Sequence, residues 1–114
     1  MEALPVINKS YSLYKDLVSA QDQLSKRHRY SLGASTESSV LCLLESLTMA
    51  KNAPKPLKGP YLIKASASLE VLILKLRLLL ELKLINETKI FQLQAKTSEI
   101  GRMLGGWLKS VQSI

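Results

Sequence analysis

Apolar residues recur at steps of three and four in four separate stretches of the chain, the spacing of amphipathic helices. The first stretch runs from about Pro5 to Lys26. There Ile7, Tyr11, Tyr14, Val18 and Gln21 keep the step, with Leu13, Leu17 and Leu24 beside them, which predicts a wide apolar face. The second, from about Ser35 to Lys51, carries Val40, Leu43, Leu44, Leu47 and Ala50 on one side. The third runs from about Pro60 to Leu84 and the fourth from about Glu87 to Val111.

The connections support this division. "NAPKPLKGP", Asn52 to Pro60, holds three prolines and a glycine and reads as a break, with Pro60 suited to the first position of the next helix. "RYSLGAS", Arg29 to Ser35, reads as a break through Gly33. In "LINET", Asn86 is placed to cap the fourth helix, with Ile85 and Ile90 as a hydrophobic staple across the cap. Alternation of period two appears only briefly, in "LILKLRLLLELKL", a segment too long and too rich in leucine for a strand. The expectation is an all-α protein, one domain over residues 1–114, folded as an antiparallel up-down four-helix bundle.

The third helix has more apolar residues than one bundle can cover. Leu62, Ala65, Leu69, Leu72, Leu76, Leu79 and Leu84 can fill the core, which leaves Ile63, Ile73, Leu74, Leu78, Leu80 and Leu82 on other sides. Apolar surface of that extent marks an interface, so a second copy is expected to cover Leu74 and Leu78. The fourth helix poses a different question. Ile90, Leu93, Thr97, Ile100, Leu104, Trp107 and Val111 form a seam toward the bundle, yet "EIGRMLGGWLKS" sets Gly101, Gly105 and Gly106 inside it. Each glycine costs a helix interior roughly 1 kcal/mol relative to alanine. Gly101 and Gly105 lie one turn apart on an adjacent face, where a missing side chain admits a close neighbour. Fraying at Gly105 and Gly106 is the alternative, and Trp107 speaks against it by continuing the seam.

Charge then narrows the partners. Sixteen Lys and Arg against nine Asp and Glu give +7, a balance that favours a polyanion. Lys26, Arg27 and Arg29 form one cluster; Lys51, Lys55, Lys58 and Lys64 form another, with no acid between Glu45 and Glu70. Lys75 and Arg77 interrupt the leucines of the third helix, and Arg102 and Lys109 follow the last acid. Lys26, Arg27, Arg29, Lys64, Lys75, Arg77 and Arg102 are the candidate phosphate contacts. Few aromatics interleave with these cations, so the expected binding is directed to the backbone and sensitive to salt.

Catalytic chemistry is not evident. The one histidine, His28, sits in "KRHR" and reads as a solvated side chain; with Cys42 it does not make a metal site. Cys42, within "VLCLLESL", reads as a small buried apolar residue. No acid–base or nucleophile constellation, cofactor loop, signal peptide or membrane span is read, and the single cysteine fits a reducing, cytoplasmic setting.

"EIGRMLGGWLKSV" resembles the C-terminal signature of the Avd family, the accessory variability determinants of diversity-generating retroelements. "SKRHRYSLG" and "ASLEVLILKLRLLLEL" support the resemblance, which covers about Lys26 to Val111. It implies a four-helix bundle that assembles into a basic, barrel-like homopentamer. It further implies binding to the retroelement's reverse transcriptase and to template RNA and cDNA during mutagenic copying. Arg77, Gly101, Arg102, Gly105 and Trp107 match the family's patterns, whereas Ile73 stands where a basic residue is expected one turn before Arg77. Two alternatives remain open: a bundle of the kind encoded in intervening sequences of 23S ribosomal RNA genes, and a helical adapter for an acidic protein.

Overall fold

A computed structural model describes residues 3–112; the two residues at each end, included in the domain expected from sequence, lie outside them. Four long helices make up most of the chain: α1 (Ala3–Ala20), α2 (Ala34–Asn52), α3 (Lys55–Glu81) and α4 (Glu87–Gln112). No strand occurs among the described residues. Each helix packs on two neighbours, with α1 and α3 across the bundle from one another. The antiparallel sense shows in the pairs between α1 and the last third of the chain. Lys9 pairs with Glu99, Asp16 with Lys96 and, just past the end of α1, Gln23 with Asn86, so one helix of the rod climbs as the other descends.

The core follows the predicted stripes in three helices. α3 buries Leu62, Ala65, Leu69, Leu72, Leu76 and Leu79, and α4 buries Ile90, Leu93, Thr97, Ile100, Leu104 and Trp107. α2 buries Val40, Leu43, Leu47 and Ala50, with Leu44 half-buried. In α1 the buried stripe is instead Ala3, Val6, Ser10, Leu13, Leu17 and Ala20. Tyr11 and Val18, expected on the core face, are exposed, and Ile7 and Tyr14 only flank the core. Ser10 is tolerated there because its hydroxyl donates to the Val6 carbonyl at 2.8 Å.

Several boundaries differ from the sequence expectation for identifiable reasons. α3 begins at Lys55, not at Pro60. Pro56 stands in the first turn, where amide hydrogens have no helical partner. Pro60 removes only the bond to the carbonyl of Pro56, and both prolines are exposed at the helix end, where water can solvate that carbonyl. The same helix ends at Glu81, before the expected Leu84, because Lys83 takes a left-handed conformation with φ 57°. The Leu84 amide then donates to Leu79 (3.1 Å) and the Lys83 amide to Leu80 (3.0 Å), the paired bonds of a Schellman motif.

Among the described residues the corner between α1 and α2 is the least regular part. α1 ends at Ala20, well short of Lys26. A 3₁₀ turn (Gln21–Gln23), one helical turn (Lys26–His28) and a π-helical turn (Arg29–Gly33) lead into α2 without the expected break at Gly33. Gly33 is required for closeness instead. A Cβ there would sit 2.1 Å from Gln21 Oε1 and 2.9 Å from Leu24 Cδ1, and the Gln21 side chain is buried while its Nε2 donates to the Gly33 carbonyl at 2.8 Å. The other end of α3 and the start of α4 are tied to this corner. The Asn86 amide donates to Gln23 Oε1 at 2.9 Å, and Asn86 Oδ1 accepts the Lys89 amide at 2.8 Å as the predicted cap. Ile85 and Ile90 are both buried, as the staple requires.

Candidate functional site

The seven candidate cations fall into three places. Lys26, Arg27 and Arg29 stand exposed on the α1–α2 corner. Lys26 and Arg27 form no ion pair among the described residues. Arg29 Nη2 donates to the Leu24 carbonyl at 3.3 Å, which ties its guanidinium to the corner. Lys75 and Arg77 lie on the part of α3 nearest that corner. Lys75 is half-buried and bridges helices, with its ammonium donating to the Ser35 carbonyl (3.0 Å) and to Ser39 Oγ (2.7 Å). Arg77 Nε meets Glu81 Oε2 at 3.0 Å in a solvent-exposed pair, a contact worth a few tenths of a kcal/mol that leaves the guanidinium available. Lys64 and Arg102 are exposed farther along the rod; 13 residues of helical rise put Lys64 about 20 Å from Arg77.

Other cations of the sequence clusters serve the fold. Lys58 Nζ donates to the carbonyls of Ala50 (2.9 Å) and Lys51 (3.0 Å), closing the C-terminus of α2. Lys9 pairs with Glu99 across α1 and α4. Lys96 binds Asp16 and Ser12, and its hydrogen bond holds the Asp16 carboxyl below the usual carboxylate range against a smaller opposing effect of burial. The Lys9 and Lys96 pairs join residues 80 or more positions apart and leave no local pattern, whereas Lys58 reaches back only seven and eight positions across the turn.

Among the apolar residues that the described chain leaves uncovered, beside Leu41, Met49, Leu57 and Phe91, two groups lie on single helices. On α3, Leu74 is 59% exposed and Leu78 40%, one turn apart, with Ile63, Val71 and Ile73 also exposed; Leu80 is half-buried against the core. On α1, Leu4, Tyr11 and Val18 are exposed, and Tyr11, Tyr14, Lys15, Val18 and Ser19 line a shallow depression with Lys15 Nζ 5.8 Å from the Tyr11 ring centre. Cys42, expected in the core, is exposed. It lies one position from buried Leu43, in the groove where Ser38, Ala67 and Ser68 let α2 and α3 approach.

The glycines of α4 divide in the same way. The helix runs unbroken through all three to Gln112, and Trp107 is only 5% exposed, so the seam holds to its end. Gly101 faces its own bundle, with Leu69 Cδ2 3.6 Å from where a Cβ would be. Gly105 and Gly106 face open space, with nothing within 4 Å. Beside these surfaces, chemistry-bearing residues are sparse. Among the described residues no group of three or more His, Cys, Asp or Glu could hold a metal ion, and no helix is long and apolar enough to cross a membrane.

No curated protein matches the sequence. The sequence model of the bAvd-like family, by contrast, matches residues 6–111, from the first turns of α1 to the last turn of α4. A match spanning all four helices, on a chain whose C-terminal seam and cationic corner carry the Avd-like motifs, shows that the chain belongs to the bAvd-like family.

Proposed function

We propose that this protein is a non-enzymatic accessory subunit of a diversity-generating retroelement, a cytoplasmic homopentamer that binds template RNA or cDNA beside the reverse transcriptase. The observation that carries the reading is the family match over residues 6–111. Two of the uncovered apolar faces fit it physically. A ring with an odd number of subunits is built head to tail, so each copy needs two different surfaces. The Leu74–Leu78 face of α3 and the Leu4–Tyr11–Val18 face of α1 are two such surfaces on opposite sides of one rod. Five copies pool about +35 (five times +7), a strong field for RNA.

Gly105 gives a specific test of assembly. A methyl group there meets nothing in the lone subunit, so Gly105→Ala is expected to stabilise the dilute chain by about 0.5–1 kcal/mol through helix propensity. If the bare backbone is a contact between copies, the same change weakens assembly. Urea unfolding of the dilute chain reads the first effect and sedimentation equilibrium over a range of concentrations the second, and assembly unaffected by the methyl group removes Gly105 from the interface.

The cationic corner tests the nucleic-acid reading. Lys26→Glu with Arg27→Glu is expected to lower affinity for RNA at least tenfold near 100 mM salt and to flatten the plot of log affinity against log salt by about 1–2 units, as two phosphate contacts are lost. Filter binding across a salt series measures both. Wild-type affinity and slope in the double variant would exclude this corner from the contact.

A further inference from the structure

Tyr30 is the most exposed of the large apolar residues, at 72%, and it stands inside the corner's cationic cluster. It lies in the π-helical turn just after Lys26 and Arg27, within four residues of both on the same short corner. Its surroundings are fixed rather than loose. Ser31 Oγ donates to the Arg27 carbonyl at 2.8 Å, Ser25 Oγ and His28 Nδ1 share a hydrogen bond at 3.0 Å, and Arg29 is held by the Leu24 carbonyl. Beneath them, Gln21 clamps Gly33 and Asn86 clamps Gln23. The result is an aromatic ring presented to solvent on a braced corner, beside two cations that have no acidic partner among the described residues.

From this juxtaposition we infer that Tyr30 is a stacking platform for an unpaired nucleobase, with Lys26 and Arg27 holding the flanking phosphates. The inference rests on the nucleic-acid reading above and adds a preference that phosphate contacts alone do not give. A duplex offers its phosphates to the cations but keeps its base faces stacked, whereas a single strand can offer both. An acidic peptide would use the cations and leave the ring idle, so the exposed ring favours single-stranded nucleic acid over an acidic protein. A ring that touches only the base face does not read the 2′-hydroxyl, so RNA and DNA single strands are both expected to use it.

The test compares the full-length protein and Tyr30→Ala on a 12-nucleotide oligo(A) strand, as RNA and as DNA, and on a 12-base-pair RNA duplex. Tyr30→Ala is expected to weaken single-strand binding about tenfold and duplex binding less than twofold, with an unchanged circular dichroism spectrum. Tyr30→Trp is expected to retain single-strand affinity, and its added fluorescence to be quenched by the strand but not by the duplex. No loss in Tyr30→Ala, or an equal loss on strand and duplex, overturns the platform while leaving the nucleic-acid reading intact. Failure of the wild-type protein to bind any of the three overturns both. Selective loss of binding to poly-glutamate would assign the corner to an acidic protein instead.

Discussion

Replacement of Trp107 by alanine is expected to cost about 3–5 kcal/mol, the range for removing a large aromatic side chain from a packed core. That is a large fraction of the roughly 5–15 kcal/mol that holds a typical domain together. The physical case is local. Gly105 and Gly106 stand immediately before Trp107 inside α4, and they weaken the helix by roughly 1 kcal/mol each relative to alanine. The last turns of α4 persist because Trp107 is buried with Leu104 on the bundle face, and Leu108 and Val111 pack against the same core. Urea unfolding followed by far-ultraviolet circular dichroism measures the loss, since the substitution removes the chain's one tryptophan. Trp107→Phe, which keeps a ring, is expected to lose less than half as much. A loss under about 1 kcal/mol in the alanine variant would mean that the C-terminal turns are anchored by something other than this burial.

The second large effect concerns association. Leu74→Lys combined with Leu78→Lys is expected to leave the isolated subunit folded and to abolish its assembly. Both side chains point away from the core that Leu72, Leu76 and Leu79 fill, so an ammonium at either position stays in water in the lone bundle. Substitutions at exposed positions usually alter stability by about 0.5 kcal/mol or less. At a contact between copies the same two ammonium groups would have to be desolvated without partners, which is prohibitive for an apolar interface. The expected result is a monomer whose melting temperature tracks that of the dilute wild-type chain. A double variant that assembles as the wild type does would place the contact elsewhere.

How far the sequence disclosed this arrangement depends on the composition of each stripe. The α4 seam was legible because its steps of three and four run mostly through large residues set among many polar ones; all six from Ile90 to Trp107 lie buried where the seam placed them, and Val111 is half-buried. The core stripe of α3 was legible from the same spacing despite leucines all round, and Ile63, Ile73, Leu74, Leu78 and Leu82 are exposed as the surplus required. α1 misled because its true stripe includes Ala3, Ser10 and Ala20, which carry little hydropathic weight. The larger Tyr11, Tyr14 and Val18 beside it keep the same period on a neighbouring face. In α2 the unbroken "VLCLL" hides the phase, so Cys42 reads as buried although it is one step off the core.

The corner and the cations were legible in kind and not in detail. Gly33 signalled a special backbone position, but the reason is the Gln21 side chain pressed against it, a contact that no local pattern encodes. Lys26, Arg27 and Arg29 were recognisable as a cluster, whereas the exposure of Tyr30 among them required the fold. Lys75 and Lys58 look the same as the other lysines in sequence. Only the packing of α3 on α2 shows their ammonium groups held by carbonyls and a serine hydroxyl.

Pooling of charge by association is the claim on which the functional account turns, and the solution mass of the wild-type protein tests it most directly. Light scattering on the chromatographic peak is expected to give about 64 kDa, five times the 12.7 kDa chain. A well-folded species of single-chain mass, persisting at high concentration, would contradict the account.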